Sequence, residues 1–205
     1  MSASQQIEGL VLCGGQAQRM GRVDKGLVQL LNQPLLTWVT KRLQEQVACI
    51  RVNANRNIES YEALGFEVLK DLTPGFIGPL AGFQVGLSHC KLPYLLVVPC
   101  DSPLLPVDLA ERLLTALKKA NGDLAYVTTA HLSASAIPTL QNHPVFCLMK
   151  RETLLSLETF LAQGNRKIDL WFKNLNSIGV IFPEVSAFTN INTPEDLEQI
   201  EQKLQ

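Results

Sequence analysis

Short apolar runs alternate along the first half of the chain with segments whose apolar residues recur at helical spacing. Continuous apolar runs are typical of strands buried on both faces, whereas recurrence every three or four residues is typical of helices with one buried face. The apolar runs predict strands at 7–13, 49–53, 66–70, 94–100 and 124–128, with a short extended piece at 27–31. The helical spacing predicts helices at 34–46, 58–64, 79–88 and 106–120.

The second half has a less regular pattern, which predicts strands at 144–149 and 177–182 and helices at 153–162 and 166–175. The sequence Thr193-Pro194-Glu195-Asp196 predicts the start of a last helix, because it has an N-cap threonine, a proline at the first helical position and two acidic residues in the first turn. Strands that alternate with helices favour right-handed crossovers and a parallel sheet covered on both faces. We therefore predict an α/β fold of three layers, Rossmann-like, with a mainly parallel central sheet in a single domain over residues 1–205.

Composition excludes several classes of protein. With 18 Lys and Arg against 19 Asp and Glu and a net charge of -1, the chain lacks the basic surface of a general nucleic-acid binder. No apolar run approaches the roughly 20 residues of a membrane span, and residues 1–6 do not resemble a signal peptide, so we expect a cytoplasmic protein without a membrane partner. Five cysteines without C-x-x-C spacing and three scattered histidines favour neither a disulfide framework nor a zinc centre.

Glycine, basic, amide or carboxylate residues lie at the end of the predicted strands of the first half. In an open parallel sheet, ligands bind beyond the carboxyl ends of the strands. The first strand leads into a loop with Gly14, Gly15, Arg19, Gly21 and Lys25. The second strand ends in Asn53 and continues to Asn55, the third is followed by Asp71, and the fourth by Asp101. Glycines let backbone N–H groups approach an anion, and the two cations supply charge, so the loop suits a triphosphate. It is neither a Walker A loop nor a dinucleotide fingerprint, and a solvated glycine-rich turn is the alternative.

Four other residues or motifs each have two interpretations. Asp101, at the end of an apolar strand, is either a Mg²⁺ ligand or a turn aspartate. Asp71, before Thr-Pro-Gly, is either a turn aspartate or a site residue by its position at a strand end. The stretch 78–82, Gly-Pro-Leu-Ala-Gly, is either a helix start that faces an anion or a packing motif of small residues. Asn190 and Asn192 lie on one side of an extended segment, where they either bond the turn or hold a metal, phosphate or acceptor.

Such a site suits nucleotidyl transfer to a phosphate. That reaction needs alignment and charge neutralisation from backbone N–H groups, Lys or Arg, and Mg²⁺. An acceptor phosphate is already ionised near pH 7, so no histidine base or activated Ser or Cys nucleophile is required.

Together these motifs resemble the molybdenum cofactor guanylyltransferases, the MobA proteins. The resemblance spans nearly the whole chain in the family's order and rests on Leu12-Cys13-Gly14-Gly15, Arg19-Met20-Gly21, Asp24-Lys25, the 78–82 motif, Cys100-Asp101-Ser102-Pro103-Leu104 and Asn190-Ile191-Asn192-Thr193-Pro194-Glu195-Asp196-Leu197. The last of these motifs narrows a wider nucleotidyltransferase likeness to this family. The resemblance implies transfer of GMP from GTP to Mo-molybdopterin with Mg²⁺, and it divides the chain into a nucleotide-binding half (about 1–128) and an acceptor-binding half (about 129–205).

The resemblance also implies roles for individual residues. Leu12, Cys13 and Gly14 would contact the nucleotide through their backbone, and Gly15 and Arg19 would extend the phosphate loop. Lys25 would neutralise phosphate charge, Asn53 and Asp71 would lie on the nucleoside side, and Asp101 would hold Mg²⁺. Lys25, Arg19 and Asp101 are thus the expected catalytic residues, while Gly82, Asn190 and Asn192 are expected on the acceptor side.

Several points stay open at this stage. Cys13 stands where the family usually has Ala. The larger thiol side chain would tighten the base pocket. A related enzyme that uses CTP, or a sugar or alcohol phosphate acceptor, and a nucleotide-binding regulator without turnover are the alternatives. We expect a monomer, with proteins that deliver or accept the cofactor as further candidate partners.

Overall fold

A computed structural model describes residues 2–14, 24–72, 78–131 and 139–204. The strands in these ranges are β1 (Ile7–Leu12), β2 (Gln29–Leu30), β3 (Gln33–Pro34), β4 (Cys49–Asn53), β5 (Glu67–Leu69), β6 (Tyr94–Pro99), β7 (Leu124–His131), β8 (Thr139–Lys150) and β9 (Ser177–Phe182). The α-helices are α1 (Leu35–Leu43), α2 (Ile58–Ala63), α3 (Pro79–His89), α4 (Leu109–Lys119), α5 (Leu154–Ala162), α6 (Ile168–Phe172) and α7 (Pro194–Leu204).

Seven of the described strands form one sheet in the order β5-β4-β1-β6-β8-β7-β9. β1 pairs in parallel with β4 and β6, β4 with β5, and β7 with β9. β8 alone among them runs antiparallel, to β6 and to β7. The sheet is therefore mainly parallel, as predicted.

Two apolar clusters cover the faces of the sheet. One joins apolar residues of α1, α2 and α4 to the sheet, and the other joins those of α3, α5 and α6 to its opposite face. A third, small cluster of Leu30, Leu35, Ile191 and Ile200 ties the β2–β3 hairpin to α7. This arrangement confirms the predicted three-layer α/β class.

Most predicted elements exist, and the differences lie at their ends. The extended piece at 27–31 is a tight hairpin, because Leu31 and Asn32 both adopt positive φ angles of 48° and 62° between β2 and β3. The predicted helix 106–120 begins later, at Leu109, and the predicted helix 166–175 shrinks to Ile168–Phe172. The predicted strand 144–149 is the last part of the much longer β8.

β8 carries an irregularity that matters for the site. Tyr126 of β7 pairs with Cys147, but the next residue, Val127, pairs with His143. The three residues between them, Pro144 to Phe146, have no partner in this register, and proline has no N–H to contribute to a ladder. The strand bulges there, and bulges commonly re-aim side chains beside functional sites.

Candidate active site

The carboxyl ends of β1, β4, β5 and β6 surround a cavity of about 490 Å³. The N–H of Cys13 bonds to the carbonyl of Asn53 at 2.8 Å, and the N–H of Cys100 bonds to the carbonyl of Leu12 at 3.1 Å. These bonds hold the strand ends in register where they leave the sheet. The lining residues are Leu12, Cys13, Gly14, Lys25, Asn53, Asn55, Arg56, Asp71, Gly78, Pro79, Pro99, Cys100, Asp101, Val145 and Asn190.

Lys25 and Asp101 form an ion pair at one side of this cavity. The Lys25 ammonium lies 2.9 Å from Asp101 Oδ2 and donates a second hydrogen bond of 2.5 Å to Asn192 Oδ1. Lys25 begins a short 3-10 turn, Lys25–Leu27, whereas Asp101 lies two residues beyond the end of β6 and is 7% exposed. Two residues that are 76 positions apart thus place opposite charges at one point of the sheet edge.

The second carboxylate oxygen of Asp101, Oδ1, is buried and has no hydrogen-bond partner within the described part of the chain. A buried acceptor without a partner is costly, by about 1–3 kcal/mol. Carboxylate oxygens are the ligands that Mg²⁺ prefers, and Mg²⁺ takes its other ligands from substrate phosphates and water. The described residues contain no group of three or more His, Cys, Asp or Glu side chains able to hold a metal. Asp101 therefore fits a Mg²⁺ site in which one carboxylate supplies the protein ligand and substrate phosphates and water supply the others.

Asn53, Asn55 and Asp71 form a polar cluster on the opposite side of the cavity. Asn53 Nδ2 donates to Asp71 Oδ1 at 2.9 Å and to the Leu69 carbonyl at 3.0 Å. Asn55 donates to Asp71 Oδ2 at 2.7 Å and accepts the Asp71 N–H at 2.9 Å. The two amides thereby orient the Asp71 carboxylate toward the cavity that it lines.

The segment before α7 closes the edge beside Asp101. The Ile191 N–H bonds to the Asp101 carbonyl at 2.9 Å, and the Ser102 hydroxyl donates to Asn190 Oδ1 at 2.8 Å. These bonds between two loops bring Asn190 to the lining of the cavity.

A capping box at the start of α7 orients Asn192. The Asp196 carboxylate accepts the N–H groups of Asn192 and Thr193 at 2.9 and 3.0 Å, and Thr193 Oγ1 accepts the Asp196 N–H at 3.2 Å. Such reciprocal bonds satisfy N–H groups that the first helical turn leaves free. The Asn192 N–H lowers the pKa of Asp196, burial raises it, and the Thr193 N–H lowers it further, so that the pKa lies below its usual value.

A second cavity, of about 580 Å³, adjoins the first and shares Pro99, Val145 and Asn190 with it. One wall is the bulged stretch of β8, and the other is the segment that leads into α7, including Asn192 and Asp196. Since β8 is antiparallel, its beginning lies at the edge where the parallel strands end. The wall includes His143, whose ring packs against Phe146 and Phe188 at 6.3 and 5.6 Å between centroids.

The buried Cys100 thiol, which lines the first cavity, is a poor nucleophile. A hydrogen bond with the Cys13 thiol and burial both raise the pKa of the Cys100 thiol well above its usual value. A protonated thiol is unreactive, because the thiolate is the nucleophile. The site therefore has no activated cysteine at Cys100.

The structure brings most of the predicted site residues together. Leu12, Cys13, Gly14, Lys25, Asn53, Asp71 and Asp101 line the first cavity, Asn190 lines both cavities, and Asn192 lines the second. Gly15 and Arg19 lie outside the described residues. Gly82 is buried beneath the cavity, where a Cβ would lie 2.5 Å from Asn53 Oδ1 and 2.6 Å from Leu12 Cδ2. That position fits the packing interpretation of the 78–82 motif, and an acceptor contact at Gly82 stays a prediction.

Sequence reasoning placed Asn55 at the end of the second strand but gave it no role, and it missed Val145 and His143. In the structure, Asn55 orients Asp71. Val145 and His143 reach the cavities only because β8 is antiparallel and bulged, for which Pro144 inside an apolar run was the one local sign.

Comparison with known proteins places the chain in a family. A model described as a MobA-like NTP transferase domain matches residues 9–176. A molybdenum cofactor guanylyltransferase of Polynucleobacter asymbioticus is 48% identical over 204 residues, with 100% of both chains covered. The chain belongs to the molybdenum cofactor guanylyltransferase family. A second member, from Ralstonia nicotianae, is 44% identical over 203 residues and covers 99% of this chain and 100% of its own.

Solved structures agree with membership of the molybdenum cofactor guanylyltransferase family. Molybdopterin-guanine dinucleotide biosynthesis protein A from Archaeoglobus fulgidus superimposes with a TM-score of 0.74 at 25% identity, covering 96% of this chain and 98% of that one. A 4-diphosphocytidyl-2C-methyl-D-erythritol synthase from Anaerococcus prevotii has a TM-score of 0.75 at 13% identity, covers 98% of this chain and 99% of its own, and shares the fold. Family membership makes the chain a nucleotidyltransferase, an enzyme of molybdenum cofactor biosynthesis.

Within the described residues, every helix is too short or too polar to cross a bilayer.

Proposed function

We propose that this enzyme transfers GMP from GTP to the terminal phosphate of Mo-molybdopterin and releases pyrophosphate. The observation that carries the proposal is the position of Lys25, which lines the first cavity and donates to Asn192 of the second. Two adjoining cavities with the Lys25 ammonium between them suit two phosphate-bearing substrates. The guanylyltransferase names of the relatives support GTP as the first of these substrates.

The bonds of the reaction set what the residues have to do. An oxygen of the acceptor phosphate attacks the α-phosphorus of GTP, a new P–O bond forms, and the bond to the β-phosphate oxygen breaks with its electron pair leaving on pyrophosphate. The acceptor oxygen is already ionised near pH 7, so no base has to remove a proton. The chain must align the two phosphates and neutralise charge, a role for which the ammonium of Lys25 is suited.

The nucleotide would lie in the first cavity. The backbone of Leu12, Cys13 and Gly14 is proposed to contact it, and Asn53 and Asp71 are proposed to bind the nucleoside. The hydrogen-bonded amides around Asp71 support this, because they hold the carboxylate in one orientation. Gly15 and Arg19 remain the proposed extension of the phosphate loop.

Asp101 is proposed to hold Mg²⁺. Its buried Oδ1, without a hydrogen-bond partner in the described chain, supports a cation ligand at this position. When bound, Mg²⁺ neutralises phosphate charge and aligns the phosphate oxygens. Lys25 holds the other oxygen of the same carboxylate and so orients it toward the cavity.

The acceptor would lie in the second cavity, with Asn190 and Asn192 as proposed contacts and Gly82 as a less direct one. The lining supports a division of labour, because the first cavity is built mainly from residues up to 101 and the second mainly from residues after 140. This division matches the proposed nucleotide-binding half at about 1–128 and the acceptor-binding half at about 129–205.

Pyrophosphate release tests the proposal. The purified enzyme is supplied with Mg²⁺, the molybdopterin acceptor and each of the four nucleoside triphosphates in turn, and reactions without acceptor serve as controls. Of the four nucleoside triphosphates, we expect only GTP to give pyrophosphate release that depends on the acceptor. Release with CTP in place of GTP would favour the cytidylyl alternative, and release only with a sugar or alcohol phosphate would change the acceptor.

Thermal protection separates binding from turnover. A nucleotide at 100 times its Kd stabilises the folded chain by about 2.7 kcal/mol. We expect GTP to protect and CTP not to do so. Protection by GTP without any pyrophosphate release would point to a regulator that binds nucleotide without turning it over.

A further inference from the structure

Lys25 lies between two buried residues that both contact Tyr61 of α2. Asp24 is 6% exposed, and one of its carboxylate oxygens, Oδ1, accepts a hydrogen bond from the hydroxyl of the fully buried Tyr61. Gly26 packs so closely on the other side that a Cβ there would lie 2.6 Å from the same hydroxyl oxygen and 3.1 Å from Cys13 Sγ. The tyrosine thus touches the residue before and the residue after the active-site lysine.

The contacts of Asp24 hold the short turn that carries Lys25. Asp24 Oδ2 accepts a hydrogen bond of 3.1 Å from Asn57 Nδ2, so both carboxylate oxygens are used. Its carbonyl accepts the Leu27 N–H at 3.0 Å, which closes the turn. A buried carboxylate is tolerated only when its hydrogen bonds are satisfied, so these two donors from residues 57–61 decide where the Asp24–Gly26 backbone can lie.

Burial, the neighbouring Cys13 and the carboxylate of Asp24 all raise the pKa of Tyr61 far above its usual value. The phenol therefore stays protonated and remains a donor to Asp24. Neither Tyr61 nor Asp24 lines either cavity, so any effect on the reaction has to pass through their neighbours.

We propose that Tyr61 is a positioning residue for Lys25: its hydroxyl bond to Asp24, together with its contact at Gly26, fixes the ammonium against Asp101 and Asn192. This inference rests on the proposed function and deepens it, because it explains how one short turn delivers a flexible lysine side chain to a fixed point. A 1 Å misplacement at a reacting centre lowers rates by up to about 100-fold, so a remote hydroxyl can matter for turnover.

A double-mutant cycle tests the inference. The variants are Tyr61→Phe, which removes only the hydroxyl, Lys25→Ala, and the two combined. We expect Tyr61→Phe to lower kcat about tenfold and Lys25→Ala to lower it about 100-fold. In the Lys25→Ala background, Tyr61→Phe has no lysine left to position, so the double variant should match Lys25→Ala within about twofold.

The cycle separates positioning from simple packing. If Tyr61 served only the core, its removal would lower kcat by the same factor in both backgrounds, and that additive result would overturn the inference. An unchanged kcat for Tyr61→Phe would also overturn it. Tyr94→Phe is the matched control, because Tyr94 pairs with Ile7 at the opposite edge of the sheet, and its kcat should equal that of the wild type.

A second variant covers the possibility that Tyr61→Phe does not fold. Asn57 is exposed and has a φ of 51°, which glycine adopts without strain, so Asn57→Gly removes the other donor to Asp24 with little effect on the backbone. It should lower kcat severalfold in the wild type and not in Lys25→Ala. Failure of the proposed function gives a different result, namely a wild-type chain that releases no pyrophosphate with GTP and acceptor.

Discussion

At the residue scale, Asp101 differs from an ordinary ion-pair partner in that its two oxygens have unlike surroundings. Oδ2 pairs with Lys25 at 2.9 Å, and Oδ1 is buried without a partner in the described structure. If the residue served stability alone, an apolar side chain would avoid the cost of the unpaired oxygen. The unpaired oxygen therefore favours a role toward a ligand, and the substitution that tests it should spare the fold.

Asp101→Asn keeps the shape of the side chain, and its amide oxygen still accepts from Lys25. Loss of the negative charge removes the preferred Mg²⁺ ligand, so we expect Mg²⁺-dependent pyrophosphate release to fall by more than about 100-fold. The melting temperature should stay within a few degrees of the wild-type value, since one polar group replaces another of equal size.

The control for this change is Asp108→Asn, which alters a half-exposed carboxylate before α4 that lies 3.7 Å from Arg112. It should retain wild-type turnover. If Asp101→Asn kept its Mg²⁺-dependent rate, or if it unfolded at room temperature, the assignment of Asp101 as a metal ligand would be wrong.

At the element scale, α3 packs on the sheet through two glycines, and one of them lies under the first cavity. A Cβ at Gly82 would meet Asn53 Oδ1 at 2.5 Å and Leu12 Cδ2 at 2.6 Å. A Cβ at Gly86 would meet Leu10 Cδ2 at 2.6 Å and Leu95 Cδ2 at 2.9 Å, deeper in the core. The two positions share a helix and a degree of crowding, but only Gly82 supports Asn53.

Gly82→Ala should therefore impair both stability and nucleotide binding. Alanine stabilises a helix interior by up to about 1 kcal/mol relative to glycine, and overpacking costs about 1–3 kcal/mol, so we expect a modest net loss of stability. Displacement of Asn53 should raise the KM for GTP roughly tenfold. Steady-state kinetics with GTP and acceptor varied separately, together with urea unfolding, measure both effects.

Gly86→Ala is the matched control, with a similar loss of stability and an unchanged KM for GTP. A higher KM for the acceptor with an unchanged KM for GTP in Gly82→Ala would contradict the packing role. It would instead favour the acceptor contact that the sequence predicted for Gly82.

The same scale shows why some elements could be predicted and others could not. The strands 49–53 and 177–182 have the bounds that their apolar runs predict, although burial does not follow those runs residue by residue: Cys49 is exposed and Asn53 is buried. The start of α4 could not be predicted locally: Gln46 accepts the Ala110 N–H at 2.9 Å and donates to the Pro106 carbonyl at 2.9 Å. The direction of β8 was likewise hidden, because an apolar run has the same pattern in parallel and antiparallel strands.

The candidate site likewise contains residues that could be predicted from the sequence and residues that could not. Asp71 and Asp101 could be predicted, because each lies two residues beyond the end of a strand and parallel strands end at one edge. Tyr61 could not, since a tyrosine among apolar residues of a short helix is typical of a core position, and its hydroxyl bond to Asp24 depends on a contact across 37 positions.

At the scale of the whole molecule, the two edges of the sheet have different tasks. The carboxyl edge gathers the cavities, whereas the amino edge near Glu8 is closed by an ionic network. The buried Glu8 carboxylate accepts the N–H groups of Lys91 and Leu92 at 2.7 and 2.9 Å and pairs with Arg51, which also bonds to Glu67 at 2.7 Å. This network joins β1, β4, β5 and the loop after α3, so it should contribute to stability and not to turnover.

Glu8 links that stability to pH. Burial raises the pKa of Glu8, but the N–H of Lys91, the guanidinium of Arg51 and the N–H of Leu92 outweigh it, so the pKa lies below its usual value of 4.5. A carboxyl group whose pKa is lowered by folding stabilises the folded state above its unfolded pKa and loses that contribution as the pH falls through its folded pKa. Glu8→Gln should therefore cost about 2 kcal/mol at pH 7, and the cost should shrink once the pH falls below about 4.5.

Urea unfolding of the wild type and of Glu8→Gln at several pH values between about 7 and 3 measures this difference. Glu67→Gln is the control, because Glu67 bonds to the same Arg51 with a side chain that is 58% exposed, so its loss should change stability little at any pH. Turnover of Glu8→Gln at pH 7 should equal that of the wild type, since the network lies at the edge away from both cavities. A stability difference that stays constant from pH 7 to about 3 would mean that Glu8 acts through packing and neutral hydrogen bonds, and the charge-based account of this edge would be wrong.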